Sequence, residues 1–229
     1  IAVMGILNLS PDSFYSKSYC PNAEEVFRTA EQMIEEGAHI LDLGAESTRP
    51  GSKGVSVELQ LKRLLPVVSK LTNEFKVPIS VDTYKPEVGS AVLQEGAVVI
   101  NDVSGLRRGD EMARIVALHE AGLVLMHMQG TPETMQENPS YKNVGSEVLS
   151  FLRHTVKTAE MAGINPDSIA IDPGIGFGKT ISHNLELIAK LGQLKVLNKQ
   201  ILLGVSRKSF IGEILKLEVK DRLEGSLAA

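Results

Sequence analysis

The sequence predicts an α/β fold, a (β/α)8 TIM barrel lacking its eighth β/α unit, and three observations carry that expectation. Short apolar runs alternate seven times with longer amphipathic segments, without a linker or a shift in composition between them. Several runs are almost unbroken in Ile, Val and Leu, as expected of parallel strands buried on both faces. Nearly every run ends in a polar group: Asn8, Asp42, Asp82, Asn101 with Asp102, His127, Asp172, and Ser206 with Lys208. Right-handed crossovers put the helices outside such a sheet. An open doubly wound sheet gathers its ligand groups at one switch point, so polar ends all round favour a closed ring with a site at its C-terminal mouth. Residues 1–229 read as a single domain, with both ends cut: the chain opens inside an apolar run and stops within a helical pattern.

The expected strands lie at residues 3–7, 40–43, 79–81, 98–100, 123–126, 169–171 and 201–205. Asn22 can cap the first helix, Glu24 and Glu25 suit its first turn, and Gly37 stands where a C-terminal cap belongs. Val26, Ala30, Met33 and Ile34 form its apolar face at helical spacing. Residues 57–75 repeat the pattern with Leu61, Leu64, Leu65 and Val68, and Pro66 should kink or divide that helix. Further helices are expected at 86–94, 111–120, 144–161, 184–191 and 208–217.

Bulk properties narrow the function classes. A chain of 229 residues can bury one full core, and its 43% hydrophobic and 23% charged content is ordinary for a globular protein. A net charge of -4 argues against a nucleic-acid or anionic-membrane surface. No apolar run approaches the length that spans a bilayer, and no signal-peptide pattern occurs. One cysteine, Cys20, excludes an internal disulfide and suits a reducing cytoplasm.

The stretch DPGIGFGKT, residues 172–180, has the parts of a phosphate-binding P-loop in the wrong register. Counting back from Gly178, the first glycine would fall on Pro173, so the loop is one residue short. What remains is an aspartate at a strand end followed by a glycine-rich turn. SVDTYKP at Asp82 and INDVSG at Asn101 likewise present a carboxylate or carboxamide at a strand end. Each group alone could cap the following helix. Together they suit a flat nitrogen heterocycle, because carboxylates accept paired N–H bonds. In GVSRKSFIG, Arg207 and Lys208 stand beside a helix start, which makes an anion site where a bare Arg-Lys pair would be a solvated face. The loops GAESTRPGSKG, with Arg49, and NLSPDSF, after Asn8, read as lids or as plain connectors.

These motifs resemble those of the dihydropteroate synthase family. GILNLSPDSF, LDLGAESTRPGS, SVDTYKP, INDVSG, LMHMQGTPETMQ, DPGIGFGK and GVSRKSFIG match its signatures in family order over nearly the whole chain. The resemblance implies a transferase of folate biosynthesis that condenses hydroxymethyl-dihydropterin pyrophosphate with para-aminobenzoate, losing pyrophosphate through a carbocation-like pterin. It implies that Asp172 accepts bonds from the pterin amide N–H and 2-amino group, and that Asn101 and Asp82 hold the rest of the ring. Asp82 would also stabilise the cationic centre. Lys208 would bond the carbonyl side of the pterin and wall the benzoate pocket, and Ser209 would take the benzoate carboxylate. Met126 and Phe177 would line the apolar walls, while Thr48, Arg49, Pro50 and Phe14 would close over the benzoate. Arg207 would contact pyrophosphate, and Asn8 would ligate a pyrophosphate-bound Mg²⁺. Sulfonamide inhibition, a cytoplasmic location and a homodimer also follow from the resemblance, with no nucleic-acid or membrane partner.

Two departures stand out. An arginine and a histidine that the family carries on its eighth strand are not in this chain, and Tyr15-Ser16-Lys17-Ser18 replace a usual Asp-Gly-Gly in the first loop. Two other functions stay open on the residues alone: a corrinoid-linked methyltetrahydrofolate methyltransferase, and a pterin-binding domain without catalysis. The first has no use for ESTRPG and SRKS together, and intact Asp82, Lys208 and Arg49 count against the second.

Overall fold

A computed structural model describes residues 1–10, 23–47, 51–52 and 54–229. Phe14, Thr48, Arg49, Pro50, the Asn22 cap and Cys20 lie outside the described residues. The chain alternates β1 (Met4–Asn8), α1 (Ala23–Glu35), β2 (Ile40–Gly44), α2 (Val57–Glu74), β3 (Ile79–Asp82), α3 (Pro86–Gln94), β4 (Val99–Asp102) and α4 (Glu111–Leu118). It continues through β5 (Gly122–Met126), α5 (Val144–Met161), β6 (Ile169–Asp172), α6 (Ile181–Ala189), β7 (Gln200–Ile201), α7 (Ser209–Leu215) and α8 (Leu223–Ala228). Among the described residues, no helix is long and apolar enough to cross a membrane.

All seven strands are parallel and lie in sequence order, β1 to β7, in one sheet. Sequential order excludes the doubly wound alternative, whose order reverses at a switch point. Successive right-handed crossovers then keep the helices on one face. The register shows which face. Leu43, Val81, Ile100, Leu123 and Ile169 are paired in one row, all at most 2% exposed, and they belong to the main core. Because side chains alternate along a strand, Gly44, Asp82, Asn101 and Val124 form the neighbouring row on the opposite, inward face.

Local signals mostly act as expected. Gly37 ends α1 with φ +103, its N–H bonding the carbonyl of Ile34 while Ala38 bonds Met33. α2 runs undivided through Pro66, and Ser56 caps it by accepting from Leu59 N–H. Two expected boundaries move. α6 begins at Ile181, three residues before the expected start at Asn184, because the Thr180 side chain caps it and His183 completes a capping box. β7 spans two residues rather than 201–205, since among the described residues it is laddered to β6 alone.

Candidate active site

Four side chains expected at the site share the inward face at its C-terminal rim. Asn8, Gly44, Asp82 and Asn101 are successive register partners. Gly44 keeps the row open: a Cβ there would stand 3.6 Å from Asn8 Oδ1 and 4.0 Å from Asp82 Cβ. The same row continues through Val124 to Ala170, two residues before Asp172. Asp172 therefore points to the same side as Asp82 and Asn101, one pleat higher, beside its partner Met126. The three polar groups do not face different surroundings.

Their electrostatics differ. Among the described residues Asp82 accepts no hydrogen bond. Its carboxyl is pushed well above the usual range, first by burial and then by the negative charges of Asp42, Glu46 and Asp102. Asn101, 9% exposed, donates through Nδ2 to Asp42 Oδ2 at 3.1 Å. Asp172 Oδ1 accepts from Gly174 N–H at 2.6 Å, and its other oxygen takes no bond from the described residues. Burial raises its pKa, opposed by Lys208, by that N–H and by Lys179. Asp102 instead serves its own loop, accepting from Ser104 and Leu106 N–H groups at 2.8 and 2.9 Å.

Lys208 crosses from the start of α7 to the loop after β6. Its ammonium donates to the Ile175 carbonyl and lies 4.6 Å from the centroid of the Phe177 ring. Burial lowers its pKa to about 8, with Asp172 opposing. Phe177 and Met126 meet in an apolar cluster with Val103, Met128, Met135 and Tyr84. Ser209 is the first residue of α7 and lines a cavity of about 660 Å³ with Lys179, Gln136 and Phe210. Arg207 is turned toward the chain between α7 and α8: its Nη1 donates to the carbonyls of Val219 and Lys220 at 2.9 and 2.6 Å.

In the glycine-rich loop after β6, the glycines at 174 and 178 serve close packing. They let the loop's backbone lie against the end of β5. Gly174 has φ +68, and a Cβ there would collide with the His127 carbonyl. Lys179 is only 3% exposed and bonds His127 Nδ1 at 3.0 Å and the Phe177 carbonyl at 2.9 Å. Its pKa falls to about 7, from burial first. That of His127 falls to about 3, from burial and then the Lys179 charge. Lys179 ties the loop bearing Phe177 to β5, an arrangement visible in the sequence only as a lysine where a phosphate loop would have one.

Glu46 is a second residue the sequence reading passed over. It accepts from Tyr84 Oη at 2.6 Å, Lys85 Nζ at 3.0 Å and Val55 N–H at 3.2 Å, and Lys85 also bonds the Val55 carbonyl. These bonds pin the two ends of the segment that bears Thr48, Arg49 and Pro50 to the loop after β3.

Comparison with known proteins identifies the family to which this chain belongs. The sequence profile described as "Pterin binding enzyme" matches residues 4–229. The chain belongs to the pterin-binding enzyme family. It is 46% identical over 228 residues to the dihydropteroate synthase of Escherichia coli (strain K12), covering 99% of this chain and 80% of that protein. Against the crystal structure of Yersinia pestis dihydropteroate synthase with a sulfonamide drug complex, the TM-score is 0.95 at 38% identity, covering 99% and 82% of the two chains. The Xanthomonas albilineans dihydropteroate synthase with 4-aminobenzoic acid matches with a TM-score of 0.90 at 42% identity, covering 99% and 81%. This member of the pterin-binding enzyme family is a transferase of the dihydropteroate synthase type.

Proposed function

We propose that this chain joins hydroxymethyl-dihydropterin pyrophosphate to para-aminobenzoate at the rim formed by β1 to β7, releasing dihydropteroate and pyrophosphate. The observation that carries the mechanism is Asp82, a carboxylate without a hydrogen-bond partner among the described residues, on the same inward face as Asn101 and Asp172. Asp172 offers its free oxygen to the pterin amide N–H and 2-amino group, and Asn101 holds the other side of the ring. Lys208 bonds the ring carbonyl, and Met126 and Phe177 close the apolar walls.

The bond from the pterin methylene to the pyrophosphate oxygen breaks, and its electron pair leaves with pyrophosphate. Positive charge spreads over methylene and ring, where the Asp82 carboxylate opposes it in a site that largely excludes water. The arylamine lone pair forms the new C–N bond and its proton passes to solvent. No protein nucleophile is needed, and positioning plus electrostatics carry the rate.

Ser209 takes the benzoate carboxylate at the edge of the 660 Å³ cavity. Thr48, Arg49, Pro50 and Phe14 close over it, and Arg207 and Asn8 attend the pyrophosphate. Among the described residues no group of three His, Cys, Asp or Glu side chains forms a metal cage. The carboxamide of Asn8 on the open row beside Gly44 fits a Mg²⁺ held mostly by pyrophosphate and water oxygens. Such an ion would neutralise charge on the leaving group. The seven strands are read as part of a (β/α)8 barrel forming one domain, working in the cytoplasm as a homodimer.

Incubating the purified full-length protein with both substrates and Mg²⁺ and measuring pyrophosphate release tests the assignment. Release dependent on para-aminobenzoate is expected, and its absence would overturn the reading.

A further inference from the structure

Beneath the row of Asp82 and Asn101 lies a second polar pair on the same face. Asp42 on β2 and Ser80 on β3 are register partners, two residues before Gly44 and Asp82 along their strands. They are 4% and 0% exposed. Asp42 Oδ2 accepts from Asn101 Nδ2, while Asp42 Oδ1 and Ser80 Oγ complete no hydrogen bond. The hydroxyl still lies close enough to favour the carboxylate, against the desolvation that raises its pKa. A buried carboxyl satisfied on one oxygen is costly, and an apolar residue of similar size would remove that cost. Its effect on Asn101 is what an apolar residue could not reproduce.

We propose that Asp42 is a positioning residue that fixes the orientation of the Asn101 amide, and thereby decides which hydrogen-bonding pattern the pterin pocket presents. The two ends of a carboxamide have nearly the same shape, so packing alone hardly distinguishes one flip from the other. When ionised, Asp42 Oδ2 can only accept, so Asn101 must turn its NH2 toward β2. That leaves Asn101 Oδ1, to which no described residue donates, for the pocket. Its carbonyl then stands beside the carboxylates of Asp82 and Asp172, and the rim becomes a run of acceptors suited to a ring edge rich in N–H donors. A flipped Asn101 would set an NH2 against those donors. The inference rests on the pterin-binding reading of this site.

The test measures dihydropterin pyrophosphate binding by fluorescence titration, and the KM for para-aminobenzoate, in the full-length protein. Variants are Asp42→Ala, Asp42→Asn, Asn101→Ala and the Asp42→Ala/Asn101→Ala double. Asp42→Ala should weaken pterin binding by roughly ten-fold or more, the cost of one misdirected buried polar group. The para-aminobenzoate KM should stay within about two-fold, since only the pterin half of the site changes. Asp42→Asn should recover most of the binding, because its carboxamide oxygen can still accept from Asn101. The double variant should bind no more weakly than Asn101→Ala alone, as required if Asp42 acts through Asn101. Should Asp42→Ala not fold, Asp42→Leu fills the space without an acceptor and replaces it in the cycle.

Pterin binding unchanged in Asp42→Ala, or an equal loss with and without the Asn101 amide, would overturn the role of Asp42 and leave the site assignment intact. If the unsubstituted protein binds no dihydropterin, the site reading and this inference fall together.

Discussion

Among the described residues Asp82 has no counter-charge and no hydrogen-bond donor, and burial, then three acidic neighbours, raise its pKa. In a binding pocket that is a poor arrangement for stability and a good one for catalysis, because the missing partner is a cation that exists only while pyrophosphate departs. Asp82→Asn keeps the shape and one acceptor. Pterin binding should therefore stay within about three-fold while kcat drops by roughly 10² or more, as when one preorganised electrostatic group is removed elsewhere. Single-turnover kinetics with titrated pterin separate the two quantities, and full turnover in the variant would remove Asp82 from the mechanism. The same residue sets a pH dependence. Its folded pKa is raised, so the carboxylate is lost as pH falls through that raised value, earlier than for an ordinary aspartate. The acid limb of kcat/KM should lie above the usual carboxylate range and vanish in Asp82→Asn. Between the ordinary and the raised pKa the native state binds the extra proton, so the ionised group costs stability above that window. Asp82→Asn should accordingly melt higher, by roughly 2–4 °C per kcal/mol of cost removed.

The loop after β6 shows how an element is held for its side chains to work. Gly174 adopts φ +68 against the His127 carbonyl, and Lys179 binds the same residue from the far end of the loop. Gly174→Ala adds left-handed strain and a backbone collision, together roughly 3 kcal/mol or more. Gly192→Ala, with nothing within 4 Å of the added methyl, should leave the melting temperature unchanged. A thermal-melt comparison of the two variants checks this, and equal melting would refute the close-packing account. The contrast marks where reading the sequence works and where it stops. Asp82, Asn101 and Asp172 each close an apolar run, so their place at one rim is legible in the sequence, while their common face follows from the register. The partners of Lys179, by contrast, include the carbonyls of His127 and Phe177, and every residue type has a carbonyl. No residue pattern could reveal that tether. The same holds for Arg207, whose Nη1 is engaged by the carbonyls of Val219 and Lys220. The left-handed φ of Arg207 itself is likewise a feature of this chain's path and not of its residue type.

Across the whole molecule, function has concentrated titratable groups in the interior, and the balance of their shifts gives a stability profile that can be worked out in sign. Lys179 and Lys208 have pKa values near 7 and 8 in the folded protein. Unfolded lysines titrate near about 10.4. Between those limits the unfolded chain binds more protons, so stability rises with pH, by at most about 1.4 kcal/mol per unit for each group. Tyr84 and Tyr141 act in the opposite direction higher up. Burial raises both, helped by Glu46 for Tyr84 and Glu147 for Tyr141, so above about pH 10 the native state keeps protons that the unfolded chain loses. Stability should then fall. The acid side has competing contributions: His127, lowered to about 3, makes stability rise with pH up to about 6.5, while the raised Asp42, Asp82, Asp102 and Asp172 oppose it. The cleaner alkaline limb is the one to measure. The melting temperature should climb from pH 7 to a maximum between about 9 and 10 and then decline. Lys179→Met should flatten the climb by removing one of its two sources, while leaving the decline in place. A melting temperature that falls steadily from pH 7 would mean that these ammonium groups are not desolvated in the folded protein. The close contacts of Lys179 with His127 and of Lys208 with Phe177 would then not describe the working state.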